Sequence, residues 1–165
     1  MNKFFRTLLT FLVCIYFFSI SSSYNDWHFI DSFNLVFHEA GHTIFFFLGD
    51  YIRVLAGSAF QVAVPLLISI YFFINRQKIS GAICLLWTGQ SLLNVSVYAN
   101  DAIDMQLPLL GGDSSGHDWN YLLSQAGILK YTHTIAYIIY VLGIAIISAG
   151  SIASIYYAWN YETQE

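Results

Sequence analysis

Five long apolar runs, separated by short polar segments, constrain what this chain can fold into. A helix needs about 20 mostly apolar residues to cross the hydrocarbon core of a bilayer, and each run is close to that length or longer. The sequence therefore predicts an all-α, polytopic membrane helix bundle with about five hydrophobic helices, forming a single integral membrane domain. The runs cover residues 4–20, 29–48, 54–74, 79–99 and 133–159.

The low content of charged residues supports this prediction. Asp, Glu, Lys and Arg make up 10% of the 165 residues, against about 25% in soluble domains. A chain this poor in charge cannot cover a water-facing surface, so we expect the lipid bilayer to be its main partner. The net charge of −4 comes without a basic patch or run, which leaves nucleic-acid binding without an electrostatic basis.

The first apolar run also bears on topology. It follows Lys3 and Arg6, a pattern shared by signal peptides and membrane anchors, and its length favours a retained anchor. The positive-inside rule then places the N-terminus in the cytoplasm. Five spans would, however, put Arg76 and Lys78 outside, against the same rule. A re-entrant second helix would remove this conflict.

One connection, residues 105–132, is longer and more polar than the others. It follows the predicted core of residues 29–104 and contains a glycine-rich stretch, then a short amphipathic helix predicted for residues 119–129. Asp118 is the expected N-cap of that helix. The glycines lack the Lys-Ser/Thr of a phosphate loop, which argues against nucleotide binding.

The second run carries the motif His-Glu-Ala-Gly-His at residues 38–42. On a helix, His38 and His42 are one turn apart on one face, so both imidazoles can reach one zinc ion. Glu39 lies beside them, where it can take a proton from the water that zinc activates and give it to a leaving amine. Polar residues in a hydrophobic helix are costly unless they face a cavity, a partner or an ion. Two alternatives are histidines hydrogen-bonded without metal, and metal binding without hydrolysis.

A catalytic zinc needs a third protein ligand, for which the sequence offers four candidates. His42 and Asp101 lie near the C-terminal ends of the parallel second and fourth helices, which favours Asp101. His117 follows a Gly/Ser loop that starts from the same membrane face, and it is the alternative or an additional ligand. Asp118 is better explained as a helix cap, although it could ligate or orient an imidazole. Asp104 is equally well explained as a solvated loop residue.

These residues resemble the site-2 protease-like intramembrane metallopeptidases, in which a hydrophobic helix carries HExxH and a later helix supplies an aspartate. The resemblance covers residues 29–104. It implies that His38, His42 and Asp101 bind zinc and that Glu39 is the catalytic base.

Two further segments resemble small bacterial proteins, and the second of them has no counterpart in the core pattern of the site-2 protease-like family. Residues 56–61 are similar to the small-residue segment after the motif helix in small bacterial relatives, and residues 116–119 resemble a loop that small bacterial membrane proteins pair with the same motif. The resemblance implies a bacterial inner (cytoplasmic) membrane location and a peptide or membrane-protein substrate. The predicted function is a zinc-dependent membrane hydrolase that cleaves peptide bonds in or near the bilayer. The alternative is a non-catalytic metal-binding or structural membrane protein.

Overall fold

The computed structural model describes residues 2–108 and 116–160, and the described chain is an all-α bundle, as predicted. Short 3₁₀ turns precede the third and sixth helices. Most of the predicted glycine-rich stretch, residues 109–115, lies outside the described residues. The helices in chain order are α1 (Lys3–Ser22), α2 (Phe29–Ile44), α3 (Asp50–Ile74), α4 (Lys78–Asn100), α5 (Asp118–Gln125) and α6 (Thr132–Trp159).

Within the described part of the chain, four helices are long and apolar enough to cross a membrane. They are α1, α3, α4 and α6 together with the turn before it. Helix α2 differs because it has only 16 residues, fewer than the roughly 20 that a span requires. The run predicted as the second hydrophobic helix therefore forms a shorter helix, which carries the whole motif of residues 38–42.

One end of the bundle gathers positive charge. The start of α1 meets the end of α6, where Arg6 Nε donates to the carbonyl oxygen of Ala158 over 2.9 Å. Arg6 also lines a cavity together with Arg76 of the α3–α4 turn and Lys78 at the start of α4. Lys3 lies one turn before Arg6. We call this end, with its four cations, the basic end.

Helix α2 begins and ends at the opposite end of the bundle, here called the site end. Helix α1 runs from the basic end to the site end, and α3 runs back. The segment that joins them, which contains α2, therefore begins and ends at the site end. Near the start of α2, Asp31 accepts from Asn94 at the end of α4 over 3.0 Å. Near its end, His42 contacts the carbonyl oxygen of Arg53 at the start of α3 over 2.9 Å. This path puts all four cations of the basic end on one side, as the positive-inside rule requires.

Helix α6 packs closely against α4 through small residues, as its Gly/Ala/Ser pattern predicts. A Cβ on Gly89 would lie 2.7 Å from the carbonyl oxygen of Gly143, and one on Gly150 would lie 3.0 Å from that of Ala82. These contacts leave no room for larger side chains. The α4–α6 pair therefore forms a rigid support for the polar half of the bundle.

Helix α1 packs against α4 and α6 as part of the bundle. Phe17 and Ile20 join Leu86 in the buried apolar core, and the Cys14 thiol lies 3.4 Å from the Ser154 hydroxyl. Both the core contacts and the polar contact run along one face of the helix. The loop after α1 thereby reaches the site end in a defined position.

Candidate metal centre

Two side chains of α2 and one of α5 converge at the site end. Nε2 of His38 lies 2.8 Å from Oδ2 of Asp118, and Nε2 of His42 lies 3.1 Å from the same oxygen. Among the residues that the structure describes, these form the one group of three His, Cys, Asp or Glu side chains close enough to hold a metal ion. Zinc bonds of about 2.0–2.1 Å in a tetrahedron place ligand atoms about 3.3 Å apart, so small shifts would suffice for coordination.

The Nδ1 atoms of both imidazoles, on the side of the ring away from Asp118, already have hydrogen-bond partners. Nδ1 of His42 lies 2.9 Å from the carbonyl oxygen of Arg53, and Nδ1 of His38 lies 3.2 Å from Oε1 of Gln61. Both oxygens can only accept, so each Nδ1 carries a proton and donates it. In the neutral imidazoles, Nε2 therefore holds a lone pair that points at the Asp118 carboxylate. Three electron-pair donors meet, which requires either two extra protons or one divalent cation between them.

The electrostatics of the cluster favour bound positive charge. The hydrogen bond to Asp118 raises the pKa of His42 more than burial lowers it, and the charge of Glu39 adds to this increase. Burial raises the pKa of Asp118, but hydrogen bonds and charge interactions with His38 and His42 outweigh it and hold that pKa below its usual value. The cluster therefore attracts cations, whether these are protons or a metal ion.

Helix α3 comes close to the imidazoles because it presents a glycine there. A Cβ on Gly57 would lie 2.5 Å from Cε1 of His42 and 2.7 Å from Nε2 of His38. On the opposite helix, a Cβ on Gly41 would collide with the carbonyl oxygen of Ala56. Gly41 thus provides room for a neighbouring helix, and Gly57 leaves space beside the Nε2 atoms of both histidines.

Four consecutive residues at the start of α5, residues 117–120, hold Asp118 in position by hydrogen bonds. Each of them hydrogen-bonds to α3, to α4 or to the turn that follows α4, so the start of α5 is fixed in position and in rotation. The bonds join His117 Nε2 to Asp101 Oδ2 (3.2 Å), Asp118 N to the Tyr98 hydroxyl (3.0 Å), Trp119 Nε1 to Ser58 Oγ (3.1 Å) and Asn120 Nδ2 to the carbonyl oxygen of Ala102 (2.8 Å).

His117 is the N-cap of α5, a role expected of Asp118. Nδ1 of His117 accepts the backbone N–H of Asn120 over 3.2 Å, so its proton lies on Nε2, which donates to Asp101. The residue is 2% exposed, and both ring nitrogens have partners. The expected cap is therefore wrong by one position. Successive helical residues point about 100° apart, which turns the Asp118 side chain to the motif histidines.

Asp101 closes the turn after α4 and pairs with the α5 cap. Its two carboxylate oxygens accept the backbone N–H groups of Gln106 (2.9 Å) and Leu107 (3.0 Å). It lies one turn beyond Tyr98, the residue of α4 whose ring contacts both His38 and the α5 cap. Asp104 is exposed. The group that could hold a metal therefore includes Asp118 and none of Asp101, His117 and Asp104, which the sequence also offered as ligands.

A cavity of about 770 Å³ opens onto the triad. Glu39 lines it and is exposed to it, together with residues 24–27 before α2 and the Leu107–Pro108 segment. This volume falls within the roughly 300–1,000 Å³ of typical ligand pockets. A bound molecule could therefore reach Glu39 and the three clustered side chains at the same time.

The residues that sequence reasoning missed are the polar groups behind the triad. Gln61 of α3 bonds to His38 of α2 and to Asn94 of α4. Asn94, Tyr98 and the backbone carbonyl of Arg53 were not identified. Asn94 and Gln61 carry a signal, since amides inside apolar helices are costly unless paired. The identity of each partner depends on helix packing.

Comparison with models of known protein families, with curated proteins and with solved structures found no match to this chain.

Proposed function

We propose that the chain is a zinc-dependent membrane hydrolase in which His38, His42 and Asp118 bind the metal. The observation that carries the proposal is the meeting of two Nε2 lone pairs and one carboxylate oxygen at a single buried point. One divalent cation supplies there the positive charge that two added protons would otherwise provide. Two imidazoles and one carboxylate are also a ligand set of catalytic zinc sites, which keep a fourth position for water.

Glu39 is the proposed general base. It follows the first zinc-binding histidine in the chain, lines the cavity, and its charge contributes to the raised pKa of His42. Zinc at the triad would lower the pKa of a coordinated water to about 7. Glu39 would take the proton of that water and pass it to the leaving amine.

The distribution of cations suggests which side of the membrane the site faces. Four of the six Lys and Arg residues lie at the basic end, opposite the triad. By the positive-inside rule this end is cytoplasmic, so the cavity opens on the other face. In a bacterial inner membrane, the substrate would be reached from the periplasmic side.

A peptide bond is the favoured target. The resemblance to the site-2 protease-like metallopeptidases supports it, and so does the placement of the triad within a bundle of apolar helices. The cavity lies beside the α1–α2 loop, where Trp27 is exposed. Its size suits a short stretch of extended chain rather than a folded domain.

The test compares zinc content and cleavage in matched variants. Purified wild-type protein should hold about one zinc per chain, and the double variant His38→Ala/His42→Ala should hold none. Glu39→Gln should keep the zinc and lose hydrolysis, because the amide cannot accept the proton. Asp104→Asn removes an exposed acid that belongs to neither the triad nor the cavity lining and serves as the control.

Cleavage can be followed without a known substrate. New peptide N-termini in membranes of cells that express the wild type should be missing in cells that express Glu39→Gln. Equal cleavage by both would contradict the hydrolase. Zinc in the wild type with no new termini would favour a non-catalytic metal-binding protein.

A further inference from the structure

The two histidines of the triad are oriented by different kinds of group. Nδ1 of His42 faces a backbone carbonyl, which can only accept, so its proton is fixed locally. Nδ1 of His38 faces the side-chain amide of Gln61. An amide can turn either its oxygen or its NH₂ group to a neighbour, so another group must decide which one His38 meets.

That decision can be traced through two more hydrogen bonds. Gln61 Nε2 donates to the backbone carbonyl of Ser91 over 3.4 Å and, at a shorter distance, to Asn94 Oδ1 over 2.7 Å. Asn94 Nδ2 in turn donates to Asp31 Oδ1 over 3.0 Å. This series of hydrogen bonds ends at Asp31, which is 3% exposed. A carboxylate only accepts, so Asp31 fixes the direction of the two shorter bonds, and the longer contact with the Ser91 carbonyl favours the same orientation of Gln61. Asn94 must donate to Asp31, Gln61 must donate to Asn94, and His38 must donate to Gln61.

The two oxygens of Asp31 do separate work. Oδ2 accepts the backbone N–H of His28 over 2.8 Å and caps α2. Oδ1 accepts from Asn94 and, over 2.7 Å, from Gln90. An ordinary helix cap needs only the first of these interactions. The second is a buried convergence of amide donors on one acceptor, and it lies at the start of the path to His38.

We propose that Asp31 is a positioning residue of the metal centre. Through Asn94 and Gln61 it holds the proton of His38 on Nδ1 and so keeps the Nε2 lone pair directed at the metal position. This inference rests on the proposed metal site. In many metal sites a carboxylate bonds directly to the ligating imidazole; here the carboxylate acts across two amides.

The variant Asp31→Asn tests the direction of the chain. The introduced amide can turn its oxygen to the cap N–H or to Asn94, and its NH₂ group then faces the other donor. Only the long contact between Gln61 and the Ser91 carbonyl then still favours donation from His38 to Gln61, so His38 should become a mixture of tautomers. Zinc affinity should fall by roughly 10- to 100-fold, the usual effect of losing a partner that orients a ligand.

A second variant restores the acceptor at a different place. In the double variant Asp31→Asn/Gln61→Glu, the new carboxylate next to His38 can only accept, so His38 must again donate from Nδ1. Asn94 can reverse and remain bonded on both sides. Net charge is unchanged from the wild type. The double variant should recover the tautomer and most of the zinc affinity, which a purely structural role of Asp31 would not allow.

The readout is ¹⁵N NMR of histidine-labelled protein in detergent. In metal-free protein at alkaline pH it reports which nitrogen of His38 carries the proton, and after loading with ¹¹³Cd it reports which nitrogen couples to the metal. The control is Trp87→Phe, which removes a 2.9 Å hydrogen bond to Asn34 beside the chain. This control should keep the wild-type tautomer and zinc affinity.

The outcomes separate this inference from the proposed function. If Asp31→Asn keeps the wild-type tautomer of His38, the positioning role of Asp31 is wrong. It is also wrong if the double variant folds but does not recover that tautomer. Thermal unfolding checks that both variants are folded. The tautomer is measured in metal-free protein. A wild type that binds no zinc would therefore contradict the proposed function, while the positioning role of Asp31 could still be tested. Persistent cleavage by Glu39→Gln likewise contradicts the hydrolase alone.

Discussion

His117 and Asp118 are neighbours in the chain, yet they belong to two histidine–carboxylate clusters with opposite arrangements of protons. In the Asp101–His117 pair, one ring nitrogen accepts and the other donates, so every polar atom of the ring has a matched partner. In the triad, both Nδ1 atoms donate, and both Nε2 lone pairs face a carboxylate oxygen. The first cluster is complete as it stands, while the second requires added positive charge.

The comparison shows that composition and proximity do not identify a metal site. Both clusters contain histidine and aspartate within hydrogen-bonding distance. What differs is the group opposite Nδ1, a backbone N–H at His117 and oxygen acceptors at His38 and His42. The direction of the hydrogen bond on the far side of the ring decides whether the near side offers a lone pair.

The largest effect is expected from Asp118→Ala. Removing this carboxylate deletes a proposed ligand, so zinc affinity should fall by more than the roughly 10- to 100-fold that accompanies loss of an orienting partner. Isothermal titration of metal-free protein with zinc measures the change. Wild-type affinity in Asp118→Ala would remove the distinction between the two clusters.

A somewhat smaller loss of zinc affinity is expected from Gly57→Ala. The new methyl group would lie within 2.5–2.7 Å of ring atoms of His38 and His42 and would push the imidazoles apart. The matched control is Gly89→Ala, which crowds the α4–α6 contact instead. It should cost about 1–3 kcal/mol of stability by overpacking and leave zinc binding unchanged. Equal zinc affinity in the two variants would contradict the assigned position of the metal.

Asp101→Asn should affect stability more than metal binding. The introduced amide oxygen can keep the bonds from Leu107 and His117 that now reach Oδ2, which leaves the exposed N–H of Gln106 unmatched. The expected loss is about 1 kcal/mol, the lower end of the cost of an unsatisfied donor. Because the start of α5 loosens, zinc affinity should also fall, but by less than in Asp118→Ala. Thermal unfolding of the metal-free variant tests the first expectation. A complete loss of zinc would instead make Asp101 a ligand.

The smallest effect is a pH dependence of the metal-free protein. The raised pKa of His42 gives stability that is present below about pH 6.5 and is lost as pH rises through the folded-state pKa. The lowered pKa of Asp118 gives stability that is present above about pH 3.9 and is lost as pH falls through its folded-state pKa. Thermal stability should therefore be greatest between these limits. Asp118→Asn should flatten the profile.

Zinc affinity should also depend on pH. The metal competes with the proton on His42, so zinc affinity should rise as pH increases through the raised pKa. A zinc affinity that is independent of pH across this range would contradict the assignment of His42 as a ligand.

The long helices could be predicted from sequence because apolar length reports directly on burial in lipid. The runs at residues 54–74 and 79–99 match α3 and α4 closely. Helix α2 is shorter than its apolar run because the chain turns at Phe46–Leu48 and begins α3 at Asp50. The sequence stays apolar through that turn, so composition alone does not show where α2 ends.

The candidate site was only partly predictable for a different reason. The i, i+4 spacing of His38 and His42 places both imidazoles on one face of any helix, whatever surrounds it. The third residue depends on whether His117 or Asp118 caps α5, and both side chains can cap. That choice rotates the first turn of the helix, and it is made by contacts with α3 and α4 that no local pattern records.

X-ray absorption at the zinc edge tests the central claim most directly, since it counts the imidazoles bound to the metal. Zinc-loaded wild type should show two imidazole ligands with oxygen completing the coordination, and His117→Gln should give the same spectrum. A third imidazole that disappears in His117→Gln would contradict the account, because it would make the two clusters a single site.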